Sequence, residues 1–143
     1  MEQRFLAYCE LAKWHDDFYV QGNIGPQEEL AIDHRSLAEV ALEKARRLQP
    51  DSGAVHLVLA LHAIKITNDV EEAETQVELA RRTLPNNAEV EAIAGRVARR
   101  KDQWDEALRC FERAVSLEPR DVSLRNFLAL TYRYDLPLDK IYV

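Results

Sequence analysis

A chain of 143 residues, 47% apolar and 31% charged, is long enough for one core and too apolar to stay disordered. Its net charge of -6 speaks against a general nucleic-acid binder, which carries a basic surplus. Residues Met1 to Tyr8 hold no signal-peptide core and no apolar run is of bilayer length, so a soluble cytoplasmic chain is expected, and an intracellular domain cut from a longer protein would read the same.

In chain order, the first expected helix covers residues 2–18, with Phe5, Tyr8, Cys9, Ala12 and Trp14 as its apolar set. Residues 19–33 then hold a turn-rich insertion around Gly22-Asn23-Ile24-Gly25-Pro26, either a binding loop or a tolerated surface insertion. A second helix follows over Ser36 to Leu48, then a third over Ala54 to Ile66. Asn68-Asp69 and Lys101-Asp102 mark tight turns, and a helix over 88–100 carries Ala94, Gly95 and Ala98 on one face. Residues 122–134 read as a further helix with Leu128, Ala129 and Tyr132 in register. The apolar tail 136–143 is a truncated cap, a cut end or a surface that meets another subunit.

A repeat runs through these elements. Pro50, Pro85 and Pro119 recur at spacings of 35 and 34, and so do Ala38, Ala73 and Ala107, and Ala45, Ala80 and Ala114. Leu42, Val77 and Phe111 stand between each alanine pair. Positions four and seven apart share a helix face, where the alanines let a neighbouring helix approach and the larger residue fills the gap. Proline ends each block, because it lacks the N–H and clashes with the preceding turn. Asp51, Asn87 and Asp121 follow as N-caps.

A hairpin of about 34 residues with this pattern resembles the tetratricopeptide repeat. The matching residues are Leu57, Ala60, Leu61, Ile64, Ala73, Val77, Ala80 and Pro85, then Ala94, Gly95, Ala98, Trp104, Ala107, Phe111, Ala114 and Pro119. Glu91 departs, since a large apolar residue is usual in its place. The resemblance implies an all-α fold, a right-handed superhelical solenoid of antiparallel helix hairpins with about three repeats plus a terminal helix. A single domain over 1–143 is expected: a degenerate first repeat over 1–50, repeats over 54–87 and 88–121, and a partial or capping repeat over 122–143.

The resemblance also implies a function, that of a non-catalytic adaptor for a protein or peptide. The helix positions that the family turns toward its concave face are His62, Lys65 and Ile66, then Arg96, Arg99 and Arg100, then Leu130, Arg133 and Tyr134. Lys65, Arg99 and Arg133 are each 34 apart, a basic ladder suited to an acidic segment. The expected peptide-binding set is His62, Lys65, Arg96, Arg99, Arg100, Asn126, Arg133 and Tyr134, and the other reading is a solvated face. The clamp that some family members use for a peptide C-terminus does not fit: its places hold Val58, His62, Ile93, Ser123 and Phe127. The alternatives to an adaptor are a self-assembly module that pairs through its terminal helices, or a regulatory fragment of a longer multidomain protein.

No chemistry stands out. There is no CxxC and no HExxH, and Cys9 and Cys110 read as buried free thiols. His15, His34, His56 and His62 lack metal-ligand spacing, and no phosphate-binding glycine loop or nucleophile motif occurs. No cofactor, metal, nucleic acid or membrane partner is expected. Trp104 is assigned to the core.

Overall fold

The computed structural model describes residues 2–21 and 28–135, with side chains described over 4–13 and 35–133. The described residues are all-α. The helices are α1 (Glu2–Gln21), α2 (Glu28–Leu48), α3 (Gly53–His62) continued by a π-helical turn (Ala63–Thr67), α4 (Val70–Thr83), α5 (Ala88–Arg100), α6 (Trp104–Leu117) and α7 (Val122–Asp135). Where one domain was expected over 1–143, the packing divides into two compact units, Met1–Thr83 and Leu84–Val143.

The insertion expected over 19–33 is mostly helix. α1 runs on to Gln21 and α2 begins at Glu28, eight residues before Ser36, so only 22–27 lie outside the described residues. The tail 136–143 also lies outside the described residues.

In the first unit, α1 buries Phe5, Cys9 and Ala12 at a four-three spacing against Ala41, Leu42 and Ala45 of α2. Val55 and Val58 of α3 close this core. α4 presents Ala73, Val77 and Ala80 inward and is tied to α3 by His56 Nδ1, 2.7 Å from Gln76 Oε1. In the second unit, α5 is buried along Val90, Ile93, Ala94, Val97 and Ala98, and α6 along Ala107, Cys110, Phe111 and Ala114. Gly95 admits the Phe111 ring: a Cβ there would lie 2.8 Å from it. Phe111 is fully buried and stacks on Phe127 of α7, with centroids 5.7 Å apart and planes 11° apart.

The caps follow local chemistry. Asn87 Oδ1 accepts from Val90 N–H at 3.1 Å, and Asp121 Oδ1 from Ser123 N–H at 2.8 Å. At α3 the cap is Ser52, whose Oγ accepts from Ala54 N–H at 3.3 Å, one residue beyond the expected Asp51. Both tight turns hold a left-handed residue, Asn68 (φ 54°) and Asp102 (φ 57°), a conformation that Asn and Asp tolerate best after glycine.

α3 with its π turn and α5 differ by one residue between cap and turn. From cap to left-handed residue, Ser52 to Asn68 is one step longer than Asn87 to Asp102. The closing hydrogen bond shows the same difference. Gln103 N–H donates to Ala98 O at 2.9 Å, whereas Asp69 N–H donates to Ala63 O at 3.0 Å across one more residue. The π turn absorbs the extra residue: Ala63 and Ile64, both buried, together fill the place of Ala98. This is why the prolines are spaced 35 and then 34.

Two expected core assignments change. α7 turns Leu124, Phe127, Leu128 and Thr131 inward, a three-one-three spacing, so Ala129 and Tyr132 are exposed. Thr131 satisfies its hydroxyl by donating to Phe127 O at 2.7 Å, and the Tyr132 hydroxyl donates to the Glu112 carboxylate, which pushes the Tyr132 pKa up. Glu91, the outlier of its repeat, is buried with Arg113 Nε 3.6 Å from its carboxylate. Arg113 Nη2 also donates to Pro85 O at 3.0 Å, so one guanidinium anchors both the acid and the loop before α5.

Candidate functional site

The second unit carries a cleft of about 280 Å³ lined by Arg96, Arg99, Arg100, Trp104 and Phe127. α5 supplies the cations. Its inward face is apolar except for Glu91, which leaves positions 96, 99 and 100 on the other side at i, i+3 and i+4. Their place in the last turns also suits the helix dipole, which favours positive charge at a C-terminus. The left-handed Asp102 reverses the chain, so Trp104, the first residue of α6, returns beside the arginines. α7 contributes Phe127. The Arg96 guanidinium sits 5.7 Å from the Phe127 centroid, so Phe127 is held between Phe111 and a cation.

Trp104 also borders a second cleft, of about 480 Å³, lined by Asp102, Gln103, Asp105, Glu106 and Arg109. Arg109 Nη2 is 2.6 Å from Glu106 Oε2, and this contact raises the Arg109 pKa. The indole thus stands between a basic and an acidic hollow.

The expected site residues do not all meet. Arg96, Arg99 and Arg100 come together as anticipated. His62 does not reach a surface: it is 8% exposed, and its Nε2 lies 3.8 Å from Glu39 Oε1 of α2. The π turn explains this. Counted from the helix cap, His62 matches the buried Val97, and Leu61, half-buried like Arg96, takes the arginine's place. Lys65 is half-buried within the π turn and belongs to the first unit, whereas Arg99 and Arg133 belong to the second. Asn126 and Arg133 are exposed on α7 but do not line the cleft, and the Tyr134 side chain lies outside the described residues. Trp104 and Phe127 were missed. Trp104 was assigned to the core, yet it is half-buried and forms a wall. Its position directly after a left-handed turn that follows three arginines was the available signal.

Among the described residues, no three His, Cys, Asp or Glu side chains form a group that could hold a metal ion. No helix among them is long and apolar enough to cross a membrane.

The tetratricopeptide repeat model matches residues 88–121, the segment that holds α5 and α6 and most of the cleft. A thermophilic TPR protein of Thermus thermophilus shares the fold, with a TM-score of 0.69 at 21% identity over 88% of this chain and 62% of that one. The chain thus carries a tetratricopeptide repeat over residues 88–121 and has the fold of a tetratricopeptide repeat protein. The human antiviral innate immune response effector IFIT1 is 30% identical to it over 103 residues, 71% of this chain. That match spans only 21% of the effector's length. The all-α repeat fold of the family is thus present, and the family's members are in general non-catalytic scaffolds for protein–protein interaction.

Proposed function

We propose that this tetratricopeptide repeat chain is a non-catalytic adaptor that holds an acidic segment of a partner protein in the cleft of its second unit. The observation that carries this reading is the convergence of three arginines on a hollow with two aromatic walls. Guanidinium forks match carboxylate geometry, and the rings shield the pair from water on one side. Arg96 is already oriented by Phe127, so less side-chain freedom is lost on binding. The overall charge of -6 does not oppose this, because the field in a cleft is set by nearby groups. An adaptor of this kind requires neither nucleic acid, nor a membrane, nor a cofactor.

The test is retention of partners from a native extract by the parent chain and by Arg99→Glu. Loss of a retained protein with the variant, with unchanged circular dichroism, is the expected result. Equal retention by both proteins would remove the cleft from the account.

A second reading rests on a different surface. α1 and α2 leave Leu6, Leu11, Leu37 and Val40 exposed, each by 44% or more. Exposed large apolar side chains on these two helices suit self-assembly. Under that reading the chain forms dimers that Val40→Lys dissociates, as read by light scattering of the eluted peak.

A further inference from the structure

The cleft bounded by α5, α6 and α7 brings together three guanidiniums, each a fork of donors. Arg96, Arg99 and Arg100 share one face at i, i+3 and i+4, a spacing at which like charges oppose the helix. A carboxylate brings one charge and two oxygens, which one guanidinium fork satisfies. A phosphate monoester brings nearly two charges and three acceptor oxygens. The hollow of about 280 Å³ is also larger than a carboxylate fills, and Trp104 and Phe127 offer apolar walls to the carbons that carry the charged group.

We infer that the occupant is a phosphorylated side chain within the partner's acidic segment. This rests on the adaptor reading and sharpens it: binding is switched on by a phosphoryl group added to the partner. The surroundings favour a protein segment over a nucleic-acid strand. Across Trp104 lie Asp102 and Asp105, with Glu106 paired to Arg109, and these carboxylates disfavour a backbone charged at every step more than a peptide whose charges sit on a few side chains.

The experiment is calorimetric titration of the full chain with three peptides that differ only at a central residue flanked by glutamates: phosphoserine, Glu or Ser. A short RNA with a 5′-phosphate is the fourth probe. The phosphoserine peptide is expected to bind about tenfold more tightly than the Glu peptide. Arg99→Lys, which keeps the charge but removes the fork, should shrink that preference, and Arg99→Ala should erase it. Circular dichroism confirms that each variant is folded. Equal affinity for the phosphoserine and Glu peptides overturns the phosphate inference and leaves the acidic-segment reading standing. No binding of any peptide overturns both. RNA that binds as tightly as the phosphopeptide, or more so, overturns the assignment to a protein segment.

Discussion

α3 and α5 are built to one plan and put it to different use. Both begin at a polar cap and end at a left-handed residue a repeat apart, and both bury the same run of positions. One additional residue in α3 becomes a π turn, and its effect is to decouple the two ends of the helix. The end nearest the cap keeps the register of α5, and so does the end nearest the turn, but the residues counted straight across are displaced by one. A cation ladder read at a constant period therefore joins Lys65 to Arg99 correctly and His62 to Arg96 wrongly. The lesson is that a surface inferred from a repeat period holds only as far as the helix stays regular.

The comparison extends to the cores. Gly95 facing Phe111 in the second unit corresponds to Ala60 and Val77 in the first. Phe111→Ala is the largest break available: it empties a fully buried site, removes the support beneath Phe127, and should cost about 3–5 kcal/mol in denaturant titration. Val77→Ala should cost roughly half as much. Gly95→Ala comes next. Overpacking against the pinned ring costs about 1–3 kcal/mol, while the gain in helix propensity returns up to about 1, so a net loss of about 1–2 is expected. Adding Phe111→Val to Gly95→Ala recreates the pair of the first unit. The double variant should therefore be more stable than the sum of the two single losses implies, and simple additivity would refute the packing argument.

Deleting Ile64 tests the register directly. Ala63 then takes the place of Ala98 alone, the π turn becomes α-helix, and His62 stays buried, at the cost of the buried Ile64 side chain, about 2–5 kcal/mol. Unfolding of the variant would contradict the shared register. The smallest effect is at the thiols, one in each unit. Cys9 and Cys110 are 3% and 4% exposed, so each should react with a thiol reagent only as fast as its own unit opens. Burial, only partly offset by Lys13, pushes the Cys9 pKa up. Folding therefore favours the protonated thiol, and stability held below the ordinary thiol range should fall as pH rises through the raised value.

Much of the fold was legible because it rests on strong local chemistry. The prolines, the alanine–large–alanine triplets, Asn87, Asp121 and the two turn dipeptides each act within a few residues. What was not legible depended on neighbours. The early start of α2 looks like a loop when Gly22 and Pro26 are weighed and Glu28-Glu29 are not. Tyr132 and Thr131 exchange roles because α7 follows the surface of α5 and α6 and not the family's pattern. At the site, the three arginines were visible as positions that the resemblance turns toward one face of a single helix, whereas the contributions of Trp104 and Phe127 required the reversal at Asp102 and the stack on Phe111 to be seen.

One measurement bears most directly on the claim that the second unit carries the binding site: calorimetric titration of an acidic peptide into Arg99→Glu and, separately, into Lys65→Glu. Abolished binding in the first variant, with parent affinity in the second, is the predicted result. Equal losses in both, or a loss at Lys65 alone, would contradict it.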